Sequence, residues 1–123
     1  MSEYTEKQLL EWAAKAAGYD VRWHEIWRCF VHVSPLNNES PPTPAGYRIV
    51  WAPLDDDGDA LRLAVKLSIS IDVNGMFVNA DCRHRKDDIG YFEENSARNS
   101  GDIMQTARLA ILRGAAEIGR AMP

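Results

Sequence analysis

The chain is 123 residues long, 46% hydrophobic and 26% charged, which is the profile of one globular domain. Such a domain buries roughly two thirds of its unfolded surface and needs no disulfide or metal to fold. The net charge of −4 excludes unspecific nucleic-acid coating and adhesion to an anionic membrane as whole-molecule roles, because both need a basic face.

No apolar run approaches the length of a membrane span. The opening Met1-Ser2-Glu3-Tyr4-Thr5-Glu6 lacks the basic-then-apolar profile of a signal peptide. Two cysteines, Cys29 and Cys82, in an unexported chain are expected to be free thiols. The expectation is a cytoplasmic domain that needs no cofactor.

The first element is a helix over Glu6 to Ala17. Thr5 and Gln8 have the spacing of a capping box, and Gly18 stands where a left-handed C-cap belongs. Leu9, Trp12, Ala13, Ala16 and Ala17 form its apolar stripe, narrow enough to pack close to a neighbour. An extended region follows, with one strand near Asp20 to His24 and a second over Trp27 to Val33. Residues 34–46 hold four of the six prolines and read as an exposed loop through which no ladder can run.

Tyr47 to Trp51 reads as a short strand, and the Asp-rich stretch after it caps a helix ending near Leu67. The expected buried residues of that helix are Leu61, Ala64, Val65 and Leu67. Ile69, Ile71 and Val73 alternate with polar residues, as do Met76, Val78 and Ala80, with Asn74-Gly75 between them. A turn at that pair sets Val73 opposite Met76, Ile71 opposite Val78 and Ile69 opposite Ala80, all on one face. Ile89, Tyr91 and Phe92 suggest a further edge strand.

The last helix starts near Ser100 or Asp102 and runs to about Ala121. Ile103, Ala107, Ala110, Ile111, Gly114 and Ile118 form its stripe. Gly114 in that stripe implies close approach to the sheet or to the first helix. The order predicts a two-layer α+β fold, with an antiparallel or mixed sheet of four to five strands and three helices on one face.

Trp51 to Leu67 resembles a W-x-P-L-x-D-D-G-D-A-x-R-L-A stretch in small uncharacterised proteins of tailed phages and prophages. The Leu9 to Gly18 helix and the closing Ala115 to Met122 are similar to the two ends of those proteins. The resemblance implies a mobile-element gene and a bacterial host cytoplasm. It carries no known activity or site residues.

Asp55, Asp56, Asp57 and Asp59 form the densest charge cluster. With Gly58 at the sixth place of an EF-hand loop, Pro53 falls at the first and Ala64 at the twelfth, so a calcium loop fails. The cluster reads first as a turn and helix cap, then as an acidic contact for a basic partner, then as a Mg²⁺ site in a small metal-dependent enzyme. Cys29, His32, Cys82 and His84 have zinc-ligand chemistry without zinc spacing. Asp81, Cys82 and His84 are too close along one strand to make a nucleophile triangle. There is no Walker loop, dinucleotide fingerprint or G-x-S-x-G.

Residues 1–59 carry ten acids and five bases, and residues 60–123 eight and nine. Arg83, Arg85 and Lys86, with Arg108 on the last helix, are therefore the candidate phosphate contacts. Trp23 and Trp27 flank a turn, and one of them exposed would anchor an interface.

The leading expectation is a non-enzymatic phage or prophage protein that occupies a host protein or complex through Asp55, Asp56, Asp57, Asp59, Trp23 and Trp27. Inhibition of a bacterial defence complex is its concrete form. Nucleic-acid binding and metal-dependent catalysis are the alternatives. The chain is expected as a monomer or a homodimer, with a free edge strand as one route to the latter.

Overall fold

The computed structural model describes residues 4–32, 50–82 and 90–123. Among the described residues the elements are α1 (Glu6–Ala17), β1 (Val21–His24), β2 (Cys29–His32), β3 (Val50–Trp51), α2 (Asp57–Leu67), β4 (Ser70–Asn74), β5 (Phe77–Asp81), β6 (Tyr91–Asn95) and α3 (Ile103–Ala121), with a 3₁₀ turn at Ser96–Asn99. The fold is α+β. Its strands form two three-stranded antiparallel sheets, β1-β2-β3 and β4-β5-β6, where one sheet of four to five strands was expected. Among the described residues the division falls at α2, with β1, β2 and β3 before it in the first sheet and β4, β5 and β6 after it in the second. The Pro-rich stretch 34–46 lies outside the described residues, as do residues 47–49 of the expected third strand.

Local chemistry sets the helix limits. In α1 the Thr5 hydroxyl accepts from the Gln8 N–H at 3.1 Å and the Gln8 side chain accepts from the Thr5 N–H at 2.9 Å. Gly18, at φ 75°, ends the helix, with the Tyr19 N–H reaching Ala14 O at 2.9 Å. The same closure ends α2 without glycine. Ser68 takes φ 57° and the Ile69 N–H donates to Ala64 O at 2.8 Å. Asp102 caps α3 by accepting from the Gln105 N–H at 3.0 Å.

The buried stripe of α2 is Ala60, Leu63, Ala64 and Leu67. Leu61 and Val65, expected inside, are 59% and 72% exposed. Both stripes have helical spacing. The choice is made by Asp59, which is buried at the start of the helix and turns the 60/63/67 face inward.

In the β4–β5 hairpin the expected faces hold, but the register differs by two residues. Val73 pairs with Val78, Ile71 with Ala80 and Asn74 with Phe77, so the turn is Gly75-Met76. Gly75 has φ 63° and is the first of the two central residues, the position where a hairpin turn most needs glycine. Two contacts fix this register. The Ile69 N–H belongs to the α2 closure, so the strand starts at Ser70, and Met76 O accepts from the Ser96 N–H at 2.7 Å.

The core lies around α3, which packs against α1, α2, β5 and β6. Ala13, Ala110, Leu112, Leu63, Val78 and Ala80 are fully buried there. The alanine stripe of α1 permits the closest of these approaches. A Cβ at Gly119 of α3 would overlap the Trp12 carbonyl oxygen, and one at Gly114 would lie 3.0 Å from Cys82 Sγ and 3.6 Å from Ala80 Cβ. The two glycines of α3 thus serve different neighbours, Gly114 the sheet and Gly119 the first helix.

Candidate functional site

The aspartate cluster caps α2 as its first reading expected, and Asp55, Asp56 and Asp57 are exposed while Asp59 is buried. The Asp56 carboxylate accepts from the Asp59 N–H at 2.8 Å as the cap of α2. Asp59, 8% exposed, accepts from the Ala52 N–H at 2.9 Å and from Arg62 Nη2 at 2.7 Å. That hydrogen bond raises the Arg62 guanidinium above its ordinary pKa. Asp57 accepts from Arg108 Nη1 at 2.6 Å. A divalent ion between Asp56 and Asp59 would have to share them with Arg62, which lies 3.6 Å and 2.7 Å from the two carboxylates. Asp55 is exposed on the turn before the helix.

Arg108, proposed from sequence as a phosphate contact, is turned inward. Its guanidinium donates to Leu54 O at 2.7 Å and to Gln105 Oε1 at 2.9 Å as well as to Asp57, and its side chain is 14% exposed. Arg113 binds Glu94 at 2.7 Å and Arg120 binds Glu117 at 2.7 Å. The arginine row of α3 is thus matched by acids of this chain. Arg83, Arg85 and Lys86 lie outside the described residues, as does His84. Cys82 is buried under Gly114, and Cys29 is half-buried on β2, its thiol pushed up in pKa by desolvation. No three ligating side chains converge among the described residues.

Trp23 and Trp27 part company at the β1–β2 turn. Trp23 is half-buried, edge-on to Phe30 with ring centroids 5.2 Å apart, and Lys7 Nζ lies 4.8 Å from its ring. Trp27 does not begin the second strand as expected. It belongs to the turn Glu25–Arg28 and is 42% exposed. It is nonetheless held. Its ring stacks on His24 at 4.3 Å and 18°, and its backbone N–H donates to His24 Nδ1 at 3.0 Å. An accepting Nδ1 places the proton of the neutral ring on Nε2.

The Arg28 N–H closes the turn onto His24 O at 2.7 Å, with Arg28 at φ 53°. Ile26 stands beside Trp27 at 85% exposure, the most exposed large apolar side chain described. Turn tips ordinarily carry Gly, Asn, Asp or Ser. Sequence reading passed over Ile26 as one β-former among many. The missed signal was two adjacent large apolar residues between strands of ordinary length.

Behind this sheet His32 packs edge-on to Tyr19 at 5.3 Å and near Trp51 at 6.4 Å. Burial lowers its pKa from 6.5; Asp59 opposes that shift and Arg62 adds to it. A base depressed in the folded state supports stability fully above its unfolded pKa and loses that support as pH falls through the folded one. Urea titrations between about pH 7.5 and 5.5 should therefore show the wild type weakening toward acid more than His32→Gln. Parallel curves would exclude His32 as the source.

A depression of about 210 Å³ between α1 and the β1–β2 hairpin is lined by Glu11, Lys15, Tyr19, Asp20, Val21 and Phe30. Neither the cysteines nor the 55–59 aspartates reach it. Among the described residues no helix is long and apolar enough to cross a membrane. Compared with protein-family models, with curated proteins and with solved structures, the chain matches none.

Proposed function

We propose that this chain is a non-enzymatic accessory protein of phage or prophage origin that acts by occupying a macromolecule of its bacterial host, in one form a defence complex. The contact is built on the β1–β2 tip. The observation that carries this reading is the pair Ile26 and Trp27, both solvent-exposed while Trp27 is pinned by a stack and a hydrogen bond to His24. Exposed apolar side chains weaken solubility, and a rigid tryptophan loses little entropy on docking, so such a tip suits an interface anchor. Exposed Glu25 and Arg28 frame it with opposite charges. Trp23 supports the tip from the side of Phe30. Of the acidic group, Asp55, Asp56 and Asp57 present exposed carboxylates to the partner, while Asp59 is buried.

Immobilised wild-type protein should capture a stoichiometric partner from host lysate. Ile26→Asp with Trp27→Ala should weaken that capture about 30-fold or more, a hot-spot loss near 2 kcal/mol, without changing Tm. Expression of the wild type, and not of the double variant, should restore phage plating on a strain with an active defence system. Capture that survives the double variant, or no stoichiometric capture at all, would overturn the reading.

A further inference from the structure

We propose that β4 is a self-association edge: two copies of this chain pair antiparallel through it, about a two-fold axis at Ile71, and join their β4-β5-β6 sheets into one. Among the described residues β4 has β5 on one side and no strand on the other. A two-residue turn closes on a hydrogen-bonded pair, here Asn74 and Phe77. The backbone groups of Asn74, Asp72 and Ser70 therefore point at β5, and those of Ile71 and Val73 point outward. Edge strands are normally blunted by lysine, proline or a bulge. β4 reads Ser-Ile-Asp-Val-Asn and pairs regularly with β5 along its whole length.

Among the described residues the cover of the sheet thins at this edge. Val78 and Ala80 on β5 are fully buried, and α3 packs on their strand. Their partners on the same face of β4, Val73 and Ile71, are 57% and 37% exposed, with Met76 at 51% beside them. A two-fold axis perpendicular to the sheet keeps that face on the same side in both copies. The uncovered Ile71 and Val73 of the two chains then meet in the groove between the two α3 helices.

The side chains select a second copy and a register. Within β4 the residues with outward backbone groups are Ile71 and Val73, and pairing these with one another gives three symmetric registers: Ile71 on itself, Ile71 on Val73, or Val73 on itself. The second sets Asp72 directly against Asp72 of the other copy, which like charges oppose. The third sets Ile71 opposite Gly75, which offers no side chain. The first sets Ile71 on Ile71, Val73 on Ile69, and the Ser70 hydroxyl opposite the Asp72 carboxylate. Its hydrogen bonds run between the two Ile71 residues and from each Val73 N–H to Ile69 O of the other copy. The Ile69 N–H, already given to Ala64 O, is not needed.

Light scattering at about 100 μM, where even a Kd near 10 μM leaves most chains paired, should give twice the 13.8 kDa chain mass. Ile71→Lys should weaken the dimer more than 10-fold and leave Tm within the scatter, because the residue is outside the core. In a Cys29→Ser background, Ile71→Cys should oxidise to a disulfide-linked dimer, since paired Cα atoms about 5.5 Å apart can be bridged. A wild type that stays monomeric, a dimer indifferent to Ile71→Lys, or crosslinking through Val73→Cys in place of Ile71→Cys would overturn the proposal.

Discussion

Gly119→Ala should destabilise the protein by about 3 kcal/mol or more, lowering Tm by about 10 °C, although alanine is the better helix former by about 1 kcal/mol. The reason is the α1–α3 crossing. An added Cβ would fall on the Trp12 carbonyl oxygen, with the Trp12 carbonyl carbon 2.7 Å away, so the obstacle is backbone. Backbone of a packed helix cannot turn aside as a side chain can. The two helices must separate, opening the packing of α1, with its buried Ala13 and Ala14, against α3. Gly114→Ala is the internal control. Its nearest neighbour is Cys82 Sγ at 3.0 Å, a single side-chain atom, and the helix-propensity gain offsets much of the crowding. The change should stay within about 1 kcal/mol. Urea denaturation of both variants checks the contrast. Equal effects at the two glycines would refute this account of the crossing.

The helix limits were legible because they are local. Thr5, Gln8 and Gly18 lie within one turn of the groups they satisfy, and the structure uses all three as expected. The β4–β5 face was legible for the same reason, since alternation is a property of neighbouring residues. The register was not. It depends on Ile69 serving α2 and on Ser96 holding Met76 O, contacts made by other elements. Likewise two helical stripes of equal spacing competed in α2, and the buried Asp59 decided between them. Strand patterning says which face is buried and nothing about which strand lies alongside, so the split into two sheets was invisible.

The candidate site divides in the same way. Trp27 stood out by type and by its place near a turn. The pairing of Asp57 was not legible because its cation, Arg108, lies 51 residues away in the chain. A lone sequence shows charges but not their partners, and here Arg108 is drawn in to 14% exposure while Asp57, its partner, stays 63% exposed.

Arg113→Met should cost about 3 kcal/mol, and the pair Glu94→Leu with Arg113→Met should recover most of that loss. Glu94 sits on β6 opposite Val78, on the face that α3 covers, and its side chain is 5% exposed. Among the described residues its charge is compensated by Arg113 of α3, whose Nη1 lies 2.7 Å from Glu94 Oε2. Removing the arginine leaves a buried carboxylate that water cannot reach, which is the expensive half of breaking such a pair.

The reverse change is asymmetric. Glu94→Leu leaves Arg113, whose side chain is 34% exposed and can turn its guanidinium to solvent, so it should cost about 1 kcal/mol. Replacing both removes the charges and fills the space with apolar atoms, the exchange that is often neutral for buried pairs. A double-mutant cycle by urea denaturation should therefore return a coupling of about 3 kcal/mol. Additive single changes would mean that Glu94 reaches water on its own, and that α3 covers this edge of the sheet less tightly than its packing implies.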